Sequence, residues 1–182
     1  YRCSGCKVSS LYNYSNGKRI GLTRTWYTNG QLRYEYNCSS SRVSGVFKTW
    51  YTNGHLAREE NFSNGLSLGP FKAWYENGQR HIEANTMTRD PGSHRSFASN
   101  GHYTGTYYYN ELPQEGFQPG FSPTGPCSIW NFIRVYNGLY KEWKENGQLY
   151  LETNYKDGHK DGLFKEWNKL GQLNLKANYK DG

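Results

Sequence analysis

One seven-residue block constrains this chain more than any other feature. Trp26-Tyr27-Thr28-Asn29-Gly30-Gln31-Leu32 returns as Trp50-Tyr51-Thr52-Asn53-Gly54-His55-Leu56, as Trp74-Tyr75-Glu76-Asn77-Gly78-Gln79-Arg80 and as Trp143-Lys144-Glu145-Asn146-Gly147-Gln148-Leu149. A looser copy runs from Trp167 to Leu173. With the turn glycine as anchor, weaker copies at Gly5, Gly101 and Gly125 complete the series 5, 30, 54, 78, 101, 125, 147, 171, in steps of 22 to 25 residues. Two further columns keep the same register. Four residues before each anchor stands an aromatic: Tyr1, Trp26, Trp50, Trp74, Phe97, Phe121, Trp143 and Trp167. Nine residues before every anchor but the first stands a glycine: Gly21, Gly45, Gly69, Gly92, Gly116, Gly138 and Gly162. A period of this length marks an array of small supersecondary units.

Each unit reads as two strands. Asn-Gly between extended residues is a strong hairpin signal, because a type I′ turn needs positive φ at both central positions. After the turn the residues alternate, which places Leu32, Tyr34 and Tyr36 on one face and Arg33, Glu35 and Asn37 on the other. A second turn follows, as at Tyr155-Lys156-Asp157-Gly158, and no helix is indicated anywhere. The predicted fold class is therefore all-β: an elongated single-layer antiparallel β-meander of seven to eight β-hairpin repeats. It forms a single repeat domain over 1–182, regular in 1–85 and 131–182 and degenerate, Pro/Tyr-rich, in 86–130.

Composition agrees with an array. Only 35% of the 182 residues are hydrophobic, although 17 are Tyr and 21 Gly. Soluble domains carry about 45–50% apolar residues, so a thick α/β enzyme core is excluded, whereas a ribbon needs only nearest neighbours to pack. The aromatics Trp26, Trp50, Trp74, Phe97, Phe121, Trp143 and Trp167, with one Leu per unit, are the predicted packing ladder.

Blocks such as Tyr155-Lys156-Asp157-Gly158-His159-Lys160-Asp161-Gly162-Leu163-Phe164-Lys165-Glu166-Trp167, followed by Gly171-Gln172-Leu173, resemble the variant form of MORN repeats, the kind found in bacterial proteins labelled antitoxin-like. The resemblance is clearest over 12–85 and 131–182. It implies elongated β-hairpin arrays that bind proteins or lipids and share no catalytic residues.

Charge is distributed unevenly. Residues 1–58 hold nine Lys or Arg against Glu35 alone, while 59–182 hold 13 bases and 14 acids. A basic end attracts acidic glycans, membrane surfaces or the acidic part of another copy. Arg19, Arg24 and Arg33 are the candidate contacts there, and they serve equally well as a solvated face. In the middle segment, five of the six prolines accompany Tyr107-Tyr108-Tyr109 and an unaligned Trp130. That segment is either an aromatic contact surface or a worn spacer.

Asn13, Asn37 and Asn61 open Asn-x-Ser sequons 24 residues apart, and Asn recurs at 85, 131, 154 and 178 too, so the even spacing follows from the repeat. Of four cysteines, Cys3 and Cys6 are close enough for a local disulfide, while Cys38 and Cys127 are expected free or joined to other chains. No nucleophile elbow, phosphate loop or metal-ligand spacing occurs, so neither an enzyme nor a cofactor is expected. The recognition patterns of specific nucleic-acid binders are missing as well. No stretch has the length of a transmembrane helix, and the first residues show no signal-peptide pattern, which suggests a trimmed chain. Both ends stop mid-repeat and would leave open sheet edges, templates for strand addition. The sequence thus favours an extracellular or cell-surface structural protein, glycosylated and stacked head to tail with itself into a fibril. A MORN-like scaffold for a protein, acidic lipid or glycan is the alternative.

Overall fold

The computed structural model describes residues 10–89 and 133–182. Among these there is no helix, and one sheet contains every strand: β1 (Ser10–Ser15), β2 (Lys18–Trp26), β3 (Leu32–Ser39), β4 (Arg42–Trp50), β5 (Leu56–Ser63), β6 (Leu66–Trp74), β7 (Arg80–Arg89), β8 (Ile133–Trp143), β9 (Leu149–Lys156), β10 (His159–Lys160), β11 (Gly162–Trp167) and β12 (Leu173–Tyr179). Each strand pairs antiparallel with its chain neighbour, and the short β10 pairs β9 beside β11. The result is the open single-layer meander that the repeat predicts.

The two turns of each unit are chemically different, and the type I′ turn is not where Asn29-Gly30 suggests. At that turn only the glycine has positive φ, +90°, and Tyr27 accepts from the Gly30 amide and donates to the Gln31 carbonyl. This is a three-residue loop with glycine in the left-handed position. Asn29 keeps negative φ because its Oδ1 accepts from the Gln31 amide at 3.0 Å. The type I′ signature, positive φ at both central residues, lies at the opposite edge in Asn16-Gly17, Ser40-Ser41, Asn64-Gly65 and Asp157-Gly158.

The second glycine column makes bulges. Gly45, with φ of +83°, falls where the register slips between Glu35↔Lys48 and Asn37↔Ser44. Gly21, Gly69 and Gly138 fall in equivalent slips. A left-handed residue inside a strand bends it and increases its twist.

Bulges near the turns also decide which side chains share a face. Thr25 pairs Tyr34 but Trp26 pairs Leu32, so Leu32 joins the face of Trp26, Glu35 and Asn37 instead of the face of Tyr34 and Tyr36. The tryptophans follow it and are only half-buried. The buried column lies three residues earlier, on the opposite, aromatic face: Thr23, Phe47, Phe71, Tyr140 and Phe164. There Tyr36, Phe47 and Phe62 pack with centroids 5.6 and 5.9 Å apart, and Tyr136, Tyr140 and Tyr155 form a second cluster with centroids 4.8 to 5.6 Å apart. Between them Arg58 ion-pairs the fully buried Glu60, which also accepts from Ser67 Oγ.

β7 pairs directly with β8, from Ile82↔Glu142 to Arg89↔Ile133. The sequence carried the array on through 86–130, but no strand lies between these two neighbours. Phe97, Phe121, Tyr107, Tyr108, Tyr109 and Trp130 lie outside the described residues, as do Cys3, Cys6 and Cys127.

Candidate functional site

At one edge the turns stack on each other. Tyr27 Oη donates to the Trp50 carbonyl, Tyr51 Oη to that of Trp74 and Tyr75 Oη to that of Trp143, each at 2.8 Å. Asn29, Asn53 and Asn77 donate through Nδ2 to the carbonyls of Thr52, Glu76 and Glu145 in the same way. The bond from Tyr75 to Trp143 reproduces the one from Tyr51 to Trp74, so the unit containing Trp143 stacks on the unit containing Trp74 as if adjacent in sequence. The two-strand unit, its stacked turns and its bulge glycines repeat over both described parts of the chain. Stretches 19–37, 44–64, 136–157 and 160–181 match the family model of the MORN repeat variant.

The chain carries MORN repeat variants.

No curated protein matches the chain. Across the described strands one face carries a continuous pattern. Down the middle of the face opposite the aromatic clusters runs a ladder of cross-strand partners: Arg24, Glu35, Lys48, Glu59, Lys72, Glu83, Lys141, Glu152 and Lys165. Sign alternates at every step. Arg24 meets Glu35 at 2.7 Å, Lys48 meets Glu59 at 3.2 Å, and Glu152 takes Lys165 at 2.9 Å and Lys141 at 3.3 Å. The hydrogen bond from Lys165, with the one from Lys141, holds the Glu152 carboxyl below its ordinary pKa although partial burial opposes this. At the end of the ladder Lys165 pairs with Lys176, a like-charge pair.

Two apolar stripes flank the ladder. On the side of the stacked turns, Trp26, Trp50, Trp143 and Trp167 pair with Leu32, Leu56, Leu149 and Leu173, and Trp74 pairs with Arg80. On the other side Leu22, Val46, Pro70, Leu139 and Leu163 pair with Asn37, Asn61, Asn85, Asn154 and Asn178. Val46 and Leu139 stay 43% and 44% exposed. The columns of Lys or Arg two residues before Trp26, Trp50, Trp74, Trp143 and Trp167, and of Glu five residues after Gly30, Gly54, Gly78 and Gly147, are plain in the sequence once faces are assigned. They escape a reading that follows only aromatics and glycines.

The three arginines nominated from charge do not converge. Arg24 belongs to the ladder. Arg19 lies over the Tyr12 ring at 3.7 Å and donates to Tyr14 Oη, and Arg33 lies between the rings of Tyr27 and Tyr34 at 5.4 and 4.8 Å. The pair recurs with its roles exchanged, Lys144 Nζ standing 5.1 Å from the Tyr150 ring. In the unit between, His81 stacks on Tyr75 at 4.2 Å, and burial pushes its pKa down.

The sequon asparagines belong to the bulge column. Asn13 Nδ2 donates to the Leu22 carbonyl at 3.0 Å, and Asn85 and Asn154 lie against Gly138 and Gly162 as Asn13 does against Gly21. Asn13 and Asn37 are exposed, and Asn61 is half-buried. Cys38 is not free: it is buried and disulfide-bonded. Among the described residues no group of His, Cys, Asp and Glu could hold a metal, and no helix is long and apolar enough to cross a membrane.

Proposed function

We propose that this chain is a non-catalytic binding scaffold that holds a protein partner on its charged face, outside the cell or at its surface. One observation carries the reading: cation, carboxylate, Trp and Leu recur in register from unit to unit on that face, giving an extended patterned surface. A protein fits better than an acidic lipid or glycan because cations on this face are already matched by carboxylates, Arg24 meeting Glu35 and Lys48 meeting Glu59. The disulfide at Cys38 supports an oxidising compartment, where the exposed Asn13 and Asn37 are available for glycans.

A photo-reactive residue in place of Val46, 43% exposed on β4, tests this. It should yield a protein adduct in the fluid or extract of the producing cell, whereas one in place of Leu170, on an exposed turn, should not. Equal labelling at both positions, or none at Val46, overturns the reading, and salt-sensitive pelleting with phosphatidylserine vesicles would point to lipid instead. End-to-end assembly into a fibril is the second reading. Its support is β12, which among the described residues pairs with β11 alone and is exposed over most of its length. Negative-stain microscopy across a concentration series decides it.

A further inference from the structure

The ladder restricts what can lie on it. Successive strands stand about 4.8 Å apart, so its sign reverses at that interval. A partner that meets more than one or two of these charges with opposite ones must alternate at the same interval, which is a property of another β-repeat array. We infer that the partner of the charged face is a second copy of this chain, packed face to face and running antiparallel along the ribbon. The inference rests on the reading of this face as a binding surface.

The charges also select the geometry. Two stacked sheets can be related by a twofold axis along the ribbon or along the strands. The first sets every ladder position over itself, cation on cation and acid on acid. The second reverses strand order, and when the axis passes between β5 and β6 it sets Glu59 over the partner's Lys72 and Lys48 over the partner's Glu83, with the reciprocal pairs. Neighbouring strands rotate by about 20–25°, so only β4 to β7 of the two copies stay aligned. Val46 and Leu68 are 43% and 57% exposed on this face, and strand-parallel symmetry lays Val46 over the partner's Asn85 and Leu56 over the partner's Trp74. The charges supply register and sign, and the Trp–Leu stripe supplies apolar burial.

Sedimentation equilibrium of the whole chain from about 1 to 100 μM should show a monomer–dimer equilibrium. Glu59→Lys and Lys72→Glu should each weaken the dimer at least about tenfold, since each puts two like pairs at the axis. An equimolar mixture of the two variants should dimerise again, because both central pairs are then unlike. Circular dichroism checks that each variant keeps its strands, and Lys48→Glu with Glu83→Lys, the next pair out, replaces a variant that unfolds. A chain monomeric throughout, variants that dimerise like the parent, or a mixture that fails to recover overturns the inference. If the chain is monomeric but Val46 cross-links to a different protein, the second copy is wrong and the scaffold stands; if neither is seen, both fall.

Discussion

The hydroxyl of Tyr51 donates to the main-chain carbonyl of Trp74 at 2.8 Å, tying one repeat's turn to the strand end of the next. Tyr51 is only 6% exposed, so neither group has easy access to water. Tyr51→Phe should therefore cost about 1–2 kcal/mol, a lost hydrogen bond plus an unsatisfied carbonyl. Tyr27→Phe, at a half-buried site, should cost less. Urea denaturation of both variants measures the difference.

Gly54 answers two demands. Its φ is +90°, and a Cβ there would lie 2.9 Å from Gln31 Oε1, whereas Gly30 has the same φ and open space around it. Gly30→Ala should cost about 1–2 kcal/mol for the left-handed backbone, and Gly54→Ala more. Shortening Gln31 to Ala should remove most of the excess at Gly54 and leave Gly30→Ala unchanged. A double-mutant cycle on thermal stability would show it.

Glu60 is fully buried and ion-paired with Arg58 between the two aromatic clusters. Glu60→Ala should destabilise by about 3–5 kcal/mol, because the guanidinium keeps its burial and loses that carboxylate. Replacing Arg58 by Met and Glu60 by Leu together should cost less than either single loss. If the double variant proves the worst of the three, the pair contributes more than charge balance.

Stability should depend on pH through two groups. His81 is half-buried and its folded pKa lies below its ordinary value because burial disfavours the cation. The unfolded chain then binds more protons, so this stabilisation is complete above about pH 6.5 and is lost as pH falls below it. His81→Phe should flatten the melting temperature across that window. Glu152 has a depressed folded pKa through its bonds from Lys165 and Lys141, so its contribution is present above its ordinary value of 4.5 and lost as pH falls toward the folded value. Glu152→Gln should remove that second slope at a cost of at most about 1 kcal/mol at neutral pH, since solvent screens the site.

Much of the architecture was legible because it rests on local backbone chemistry. Glycine at positions such as Gly30 and Gly45 has a left-handed φ in each described repeat, and its two columns fixed the period, the turns and the single-layer meander. The charged ladder was present in the same columns, but its meaning depends on which residues stand side by side across strands. The turn types at Asn29-Gly30 and Ser40-Ser41 went the other way from the dipeptide signal, because side-chain bonds such as that of Asn29 to the Gln31 amide choose between turns.

The amino-acid sequence by itself determined the repeat, the all-strand fold and the MORN kinship. Only the tertiary structure decided that Phe47 and Phe71 fill the core while Trp50 and Trp74 stay half-buried, that β7 closes directly on β8, and that nine charges alternate along one face. The reason is register. In a strand one extra residue moves every following side chain to the other face, and the bulges that insert such residues are set by pairing between strands.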